Sequence, residues 1–114
     1  MNVRIKRVYE QPEPADGTRI LIDRLWPRGL TKEKASVDMW LKAIAPTTEL
    51  RQWFGHDPQK WPEFQKHYSH ELEANKEAVD TLRTQLKQRP MTLVYSAKDE
   101  QYNDAVVLKA YLEK

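Results

Sequence analysis

Apolar residues along the chain fall into short runs and helix-spaced rows separated by Pro and Gly breakers, a pattern that predicts strands and helices in alternation. Val3 to Tyr9 alternates apolar and basic residues for part of its length, then reaches the breaker-rich segment Glu10 to Gly17, predicting a short strand and a loop. Arg19 to Asp23 carries the consecutive aliphatics Ile20, Leu21 and Ile22, the pattern of a strand buried on both faces and therefore central in its sheet. Pro27 and Gly29 turn the chain sharply just beyond Arg24. Ser36 suits the cap of a short helix from about Val37 to Ala45, with Trp40, Leu41 and Ile44 on one face and Pro46 ending it. Thr47 or Thr48 caps the next helix, whose stripe is Leu50, Trp53 and Phe54 and whose end is marked by Gly55.

From Pro62 onward Phe64, Tyr68, Leu72, Val79, Leu82 and Leu86 follow a helical spacing interrupted at Asn75, which predicts one long amphipathic helix or two joined there. Thr92 to Tyr95 is a second buried strand, followed by the polar run Ser96 to Asp99. A last helix is expected from about Asn103 to Glu113. Helices between buried strands imply an α/β fold, a small layered single domain over residues 1–114 with a short, mostly parallel sheet flanked by helices. In open sheets of this kind ligands bind beyond the carboxyl ends of the strands. Both polar clusters, Asp23-Arg24-Leu25-Trp26-Pro27-Arg28 and Ser96-Ala97-Lys98-Asp99, directly follow buried strands, so parallel neighbours would bring them to one mouth.

Composition narrows the functional classes. The chain has no cysteine, which excludes disulfide scaffolds, zinc ribbons and thiol nucleophiles and fits a reducing cytoplasm. Nothing at the N-terminus resembles a secretory signal, and no apolar stretch approaches the roughly 20 residues that cross a bilayer. The expected protein is cytoplasmic and not membrane-bound. Net charge is only +2, but residues 1–34 hold eight Lys and Arg against five acids, a local excess that suits an anionic partner.

Four segments, "IKRVYE", "DGTRILIDRLWPRG", "APTTELRQWFGHDPQKWPEF" and "LVYSAKDEQYNDAVVL", in this order and at these separations, resemble the bacterial YeaO-like branch of the domain-of-unknown-function 488 family over nearly the whole chain. The resemblance implies no assigned activity. It does imply that the two strand ends form the functional edge, since the broader family is described with an Asp-x-Arg element after one strand and a Cys-x-Glu-Lys and Cys-His-Arg region after another. Here Asp23-Arg24 stands at the first place and Tyr95-Ser96-Ala97-Lys98 at the second. The cysteines and the His-Arg pair are absent, and chemistry that depends on them does not carry over.

Arg24 and Arg28 beside Lys98 suit a multiply charged anion, because a guanidinium fork matches phosphate or carboxylate oxygens. The alternative locks Arg24 to Asp23 or Asp99 as a structural ion pair. Ser96 and Lys98 project from the same side of an extended chain, where a desolvated lysine can activate a hydroxyl; a hydroxyl bonded to local backbone is the commoner outcome. Asp23 and Asp99 can hold Mg²⁺ between them or neutralise the neighbouring arginines, and the basic excess favours the second. His67 and His70 with Glu63 and Glu71 have a ligand-like spacing but read as a solvated helix surface, so no metal is assigned and the cofactor stays open. Trp40, Trp53 and Trp61 are expected in the core, whereas Trp26 and Tyr9 adjoin basic residues and a chain break and can stack on a planar ligand. The 36–61 region is expected to cover that pocket.

The sequence thus predicts a pocket of Lys6, Arg7, Tyr9, Asp23, Arg24, Trp26, Arg28, Ser96, Lys98, Asp99 and Asn103 for a small anionic ligand of the nucleotide or phosphorylated-metabolite kind. In an enzyme, a hydrolase or transferase, Asp23 or Asp99 would do acid or base work. The competing classes are a nucleic-acid-binding module using the basic N-terminal third and a structural or interaction protein.

Overall fold

The computed structural model describes residues 3–114. Four strands, β1 (Val3–Arg7), β2 (Thr18–Leu21), β3 (Met39–Trp40) and β4 (Met91–Tyr95), form one sheet in the order β1-β4-β2-β3, and every neighbouring pair is parallel. Val3 pairs with Met91 and Ile20 with Leu93, so β4 lies between the two earliest strands. Parallel strands must be covered on both faces. Accordingly every residue of β4 is buried, and so are Arg19, Ile20 and Leu21 of β2. The central placement expected for the Ile20-Leu21-Ile22 run holds, and Ile22 N extends it by donating to Val94 O at 3.2 Å.

Five helices supply the cover: α1 (Lys32–Ala35), α2 (Thr48–Phe54), α3 (Trp61–Ala74), α4 (Lys76–Gln88) and α5 (Asp104–Leu112). Among the described residues none is long and apolar enough to cross a membrane. Thr47 caps α2, its hydroxyl accepting from Leu50 N, and Gly55 closes it in the left-handed conformation. Pro62 falls in the first turn of α3, where a missing N–H matters least. Asn75 separates α3 from α4 and donates through Nδ2 to Ala43 O at 2.6 Å, so the interruption of the apolar row is a real joint. Phe64, Tyr68, Leu72, Val79 and Leu82 are buried in the main core with Leu93 and Leu108.

The helix expected over Val37–Ala45 is not there. Ser36 ends α1 rather than starting a helix, adopting φ 49° at its C-cap. Asp38 then binds the β2 backbone on both sides, its N–H donating to Arg19 O at 2.8 Å and its Oδ2 accepting from Arg19 N at 2.9 Å. The segment is thereby laid along β2 as the edge strand β3, followed by a single 3-10 turn at Lys42–Ile44. A carboxylate that satisfies another strand's backbone outweighed the helical spacing of Trp40, Leu41 and Ile44.

A buried polar knot closes the opposite end of the sheet. The Asp16 carboxylate, at 3% exposure, meets the Arg19 guanidinium at 2.7 Å and Lys6 Nζ at 3.2 Å, while Arg19 also donates to Ala35 O and Ser36 O. Gly17, with φ +65°, packs so tightly that a Cβ would lie 2.2 Å from Pro90 O. That carbonyl accepts the hydrogen bond from Thr18 N that opens the β2–β4 pairing.

Candidate functional site

Because β2 and β4 are parallel neighbours, the loops that follow them emerge side by side. Between them lies a cavity of about 640 Å³, within the size range of small-molecule sites. Asp23, Arg24, Leu25, Trp26 and Arg28 line it from the loop after β2, and Ser96, Ala97, Lys98 and Asp99 from the loop after β4. Tyr9, the start of α5 at Asn103 and Asp104, and Phe64 of α3 complete the wall with Ala45, Pro46, Arg51, Phe54 and His56. Residues of the 36–61 region thus supply part of the cavity wall.

Several contacts fix the two loops. Asp23 Oδ2 accepts from both the amide and the hydroxyl of Ser96 at 2.8 Å, tying the ends of β2 and β4 together. Trp40 Nε1 donates to Asp23 O at 2.7 Å, Trp26 Nε1 donates to Leu30 O at 2.7 Å, and the two indoles meet edge to face. Arg7 reaches Ala97 O with Nε at 2.9 Å and lies over the Tyr9 ring, whose hydroxyl donates to Arg28 O at 3.0 Å. Arg7 therefore holds both loops from outside the cavity instead of lining it. Phe54 and Phe64, stacked at 4.3 Å, make the buried apolar back wall.

Arg24 stands out. Its Nη2 makes only long contacts of 3.4 Å to Ala45 O and Pro46 O, and its solvent-shielded Nε has no partner. Among the described residues the salt bridges involve neither Arg24, Arg28, Arg51 nor Lys98. The alternative that locks Arg24 to Asp23 or Asp99 as an ion pair is thus not formed among the described residues, where the two carboxylates accept from backbone and hydroxyl groups instead. Asp99 Oδ1 accepts from Tyr102 N and Gln101 N at 3.0 and 2.9 Å, and these bonds hold its carboxyl below the usual range. A carboxylate stabilised in this way closes a turn, which is a poor starting point for acid or base work.

The acidic partner that the sequence did not single out is Asp104, the first residue of α5. Burial, and then the adjacent Asp23 carboxyl, push its own carboxyl well above the ordinary value. Acids at helix N-termini are commonplace because they complement the helix dipole, so nothing in the sequence marked this one. Arg51 was likewise hidden within the apolar stripe of α2. Asn103 is buried and caps α5, its Oδ1 accepting from Val106 N and its Nδ2 donating to Asp99 O. The Ser96 hydroxyl is engaged by Asp23 and has no hydrogen bond to Lys98.

Lys6 lies elsewhere. On the sheet's other strand pair it donates to Glu13, Asp16 and Gln11 O, and the Glu13 contact foremost raises its pKa. The helix acids and histidines are also dispersed: Glu71 accepts from Thr47 N and Oγ1, and His67 packs edge-on against Trp53. Among the described residues no group of three or more His, Cys, Asp or Glu is placed to hold a metal.

The chain is 43% identical over 112 residues to the uncharacterized protein YeaO of Escherichia coli (strain K12), a match covering 98% of this chain and 97% of that one. It is 47% identical over 70 residues to the uncharacterized proteins Rv3073c of Mycobacterium tuberculosis and Mb3100c of Mycobacterium bovis, covering 61% of this chain and 59% of theirs. No solved structure matches. A family model, DUF488-N3i, described as the inactive DUF488-N3 subclade, matches residues 2–114, and the chain belongs to that family.

Proposed function

We propose that the cavity at the carboxyl ends of β2 and β4 binds a small anionic ligand bearing phosphate or carboxylate, nucleotides included, in the cytoplasm. The observation that carries this reading is Arg24: a guanidinium whose shielded Nε lacks an acceptor, in the wall of a cavity that also holds Arg28, Arg51 and Lys98. A buried donor without a partner is costly, and an anionic oxygen is its best complement. Hydrolysis or group transfer is the narrower form of the reading. Asp99's engagement with backbone N–H groups and the word "inactive" in the family description both favour binding without turnover. The nucleic-acid alternative draws on the basic N-terminal third, where Lys6 and Arg19 are already held by internal carboxylates.

The test is thermal unfolding of the wild type and of Arg24→Gln with phosphate, citrate, nucleotides and sugar phosphates. A ligand at about 100 times its Kd stabilises by roughly 2.7 kcal/mol, and the shift should vanish in Arg24→Gln while persisting in Lys6→Gln. A wild-type shift retained by Arg24→Gln refutes the placement. Silence across the set refutes the anion reading, and a steep loss of affinity for oligonucleotides with added salt supports the nucleic-acid alternative.

A further inference from the structure

The floor of the cavity differs from its rim. The buried members of its wall are Ala45, Pro46, Phe54, Phe64 and Asn103. All but the last are apolar, and the Asn103 amide is engaged at both ends, by Val106 N and by Asp99 O. Polar groups nearer the mouth are taken up within the protein as well: the Tyr9 hydroxyl by Arg28 O, the Trp26 indole by Leu30 O and the Ser96 hydroxyl by Asp23. Arg24 touches the floor directly. Its Nη2 contacts the Ala45 and Pro46 carbonyls at 3.4 Å, and its shielded Nε has no partner, while Arg28, Arg51 and Lys98 are exposed at the rim. Building on the anion reading, we infer that the ligand is an apolar anion: a carboxylate or phosphate head bound by Arg24, carried on a hydrocarbon body that lies on the floor made by Ala45, Pro46, Phe54 and Phe64.

The floor selects by what it withholds. A hydroxyl moved onto it from water gives up hydrogen bonds and gains none, whereas a hydrocarbon surface is stabilised by the same move. Apolar surroundings also strengthen the bond between Arg24 and the head, because the local dielectric is low and a guanidinium is more weakly hydrated than an ammonium. The wall does hold acceptors for hydroxyls, the spare oxygens of Asp23, Asp99 and Asp104, whose other oxygens accept from Ser96, from Gln101 N and Tyr102 N, and from Ala105 N. These acids stand outside the buried floor. A sugar phosphate must therefore keep its body off the floor or leave hydroxyls unpaired there, which makes ribose 5-phosphate the sharpest competitor to an apolar phosphate.

Calorimetric titration of the full chain tests this with two sets of probes: phenyl phosphate against inorganic phosphate and ribose 5-phosphate, and benzoate and cyclohexanecarboxylate against acetate. In every set that gives heat, the apolar anion should bind about tenfold or more tightly than its hydrophilic counterparts. Benzoate against cyclohexanecarboxylate distinguishes an aryl body from an alkyl one, and a gain of that size by either over acetate supports the inference. Ala45→Leu, which fills the floor, and Ala45→Ser, which adds a hydroxyl with little change in volume, should each reduce the ratio; a ratio intact in both overturns the inference. Phosphate or acetate binding that depends on Arg24 without gain from an apolar body, or tighter binding of ribose 5-phosphate than of phenyl phosphate, also overturns it and leaves the anion reading intact. Phenyl phosphate binding that persists in Arg24→Gln overturns the anion reading on which the inference rests, and no heat with any probe overturns both.

Discussion

Replacing Gly17 by alanine tests the packing at the start of β2. Two independent penalties meet at this position. The backbone sits at φ +65°, ψ −137°, a region that strains a residue with a side chain by about 1–3 kcal/mol. The added Cβ would also fall 2.2 Å from Pro90 O and 2.7 Å from Pro90 C, and those are backbone atoms that cannot rotate away. Relief requires moving the Pro90 carbonyl, which accepts from Thr18 N at 3.0 Å and starts the β2–β4 ladder. Overpacking of this kind costs about 1–3 kcal/mol and a weakened ladder bond about 1 kcal/mol more, for a total of about 3–7 kcal/mol. Gly29 is an internal control, with φ +83° and nothing within 4 Å of its would-be Cβ. Gly29→Ala should therefore lose only the backbone part, about 1–2 kcal/mol. Urea titration followed by circular dichroism gives both values. At a domain of this size each kcal/mol lowers Tm by about 4 °C, so the two variants should be well resolved by heating as well. Losses for Gly17→Ala and Gly29→Ala that agree within error would refute the close approach at Pro90.

Other expectations follow from the polar groups. Burial pushes the Asp16 carboxyl up, but the bonds from Glu13 N, Arg19 and Lys6 together outweigh it and hold the carboxyl below its ordinary value. Its contribution to stability is therefore present above about pH 4 and lost as pH falls through the lowered value. Asp16→Asn should be less stable than wild type at pH 7, with the difference shrinking in acid; a pH-independent difference in unfolding free energy would contradict this. Asp104 has the opposite sign. Its raised value favours the folded state at low pH, and that advantage is lost as pH climbs from about 4 through the raised value. Asp104→Asn should gain on wild type in Tm between pH 4 and pH 8, and parallel curves would contradict the assignment. Tyr68→Phe removes the buried hydroxyl that donates to Ile44 O at 2.7 Å, leaves that carbonyl unpaired and should cost about 1–3 kcal/mol in urea unfolding.

Most of the framework was legible because it rests on local rules. Consecutive aliphatics in two segments announced strands buried on both faces, and Thr47, Gly55 and Pro62 marked helix ends by chemistry that acts within a few residues. The meeting of the two polar loops followed from parallel pairing alone. What the chain did not disclose depends on partners distant in sequence. Asp38 turns a helix-spaced segment into a strand only through the backbone of Arg19. Lys6 resembled a site residue until Glu13 and Asp16 were seen to hold it. Asp104 owes its unusual proton affinity first to burial and then to Asp23, 81 positions earlier in the chain, and looked like any acid opening a helix.

The strand order has a consequence for how the protein is made. Its first two strands do not touch; β4 fits between them, joining Val3 to Met91 and Thr18 to the same residue. A nascent chain that has emerged as far as Arg89 possesses both neighbours and no completed sheet. The cavity, built on the loops after β2 and β4, cannot form before the fourth strand clears the ribosome. Until then Ile20, Leu21 and Ile22 lack their principal cover, and the interval between making β2 and making β4 is when this chain most needs protection from its own exposed strands.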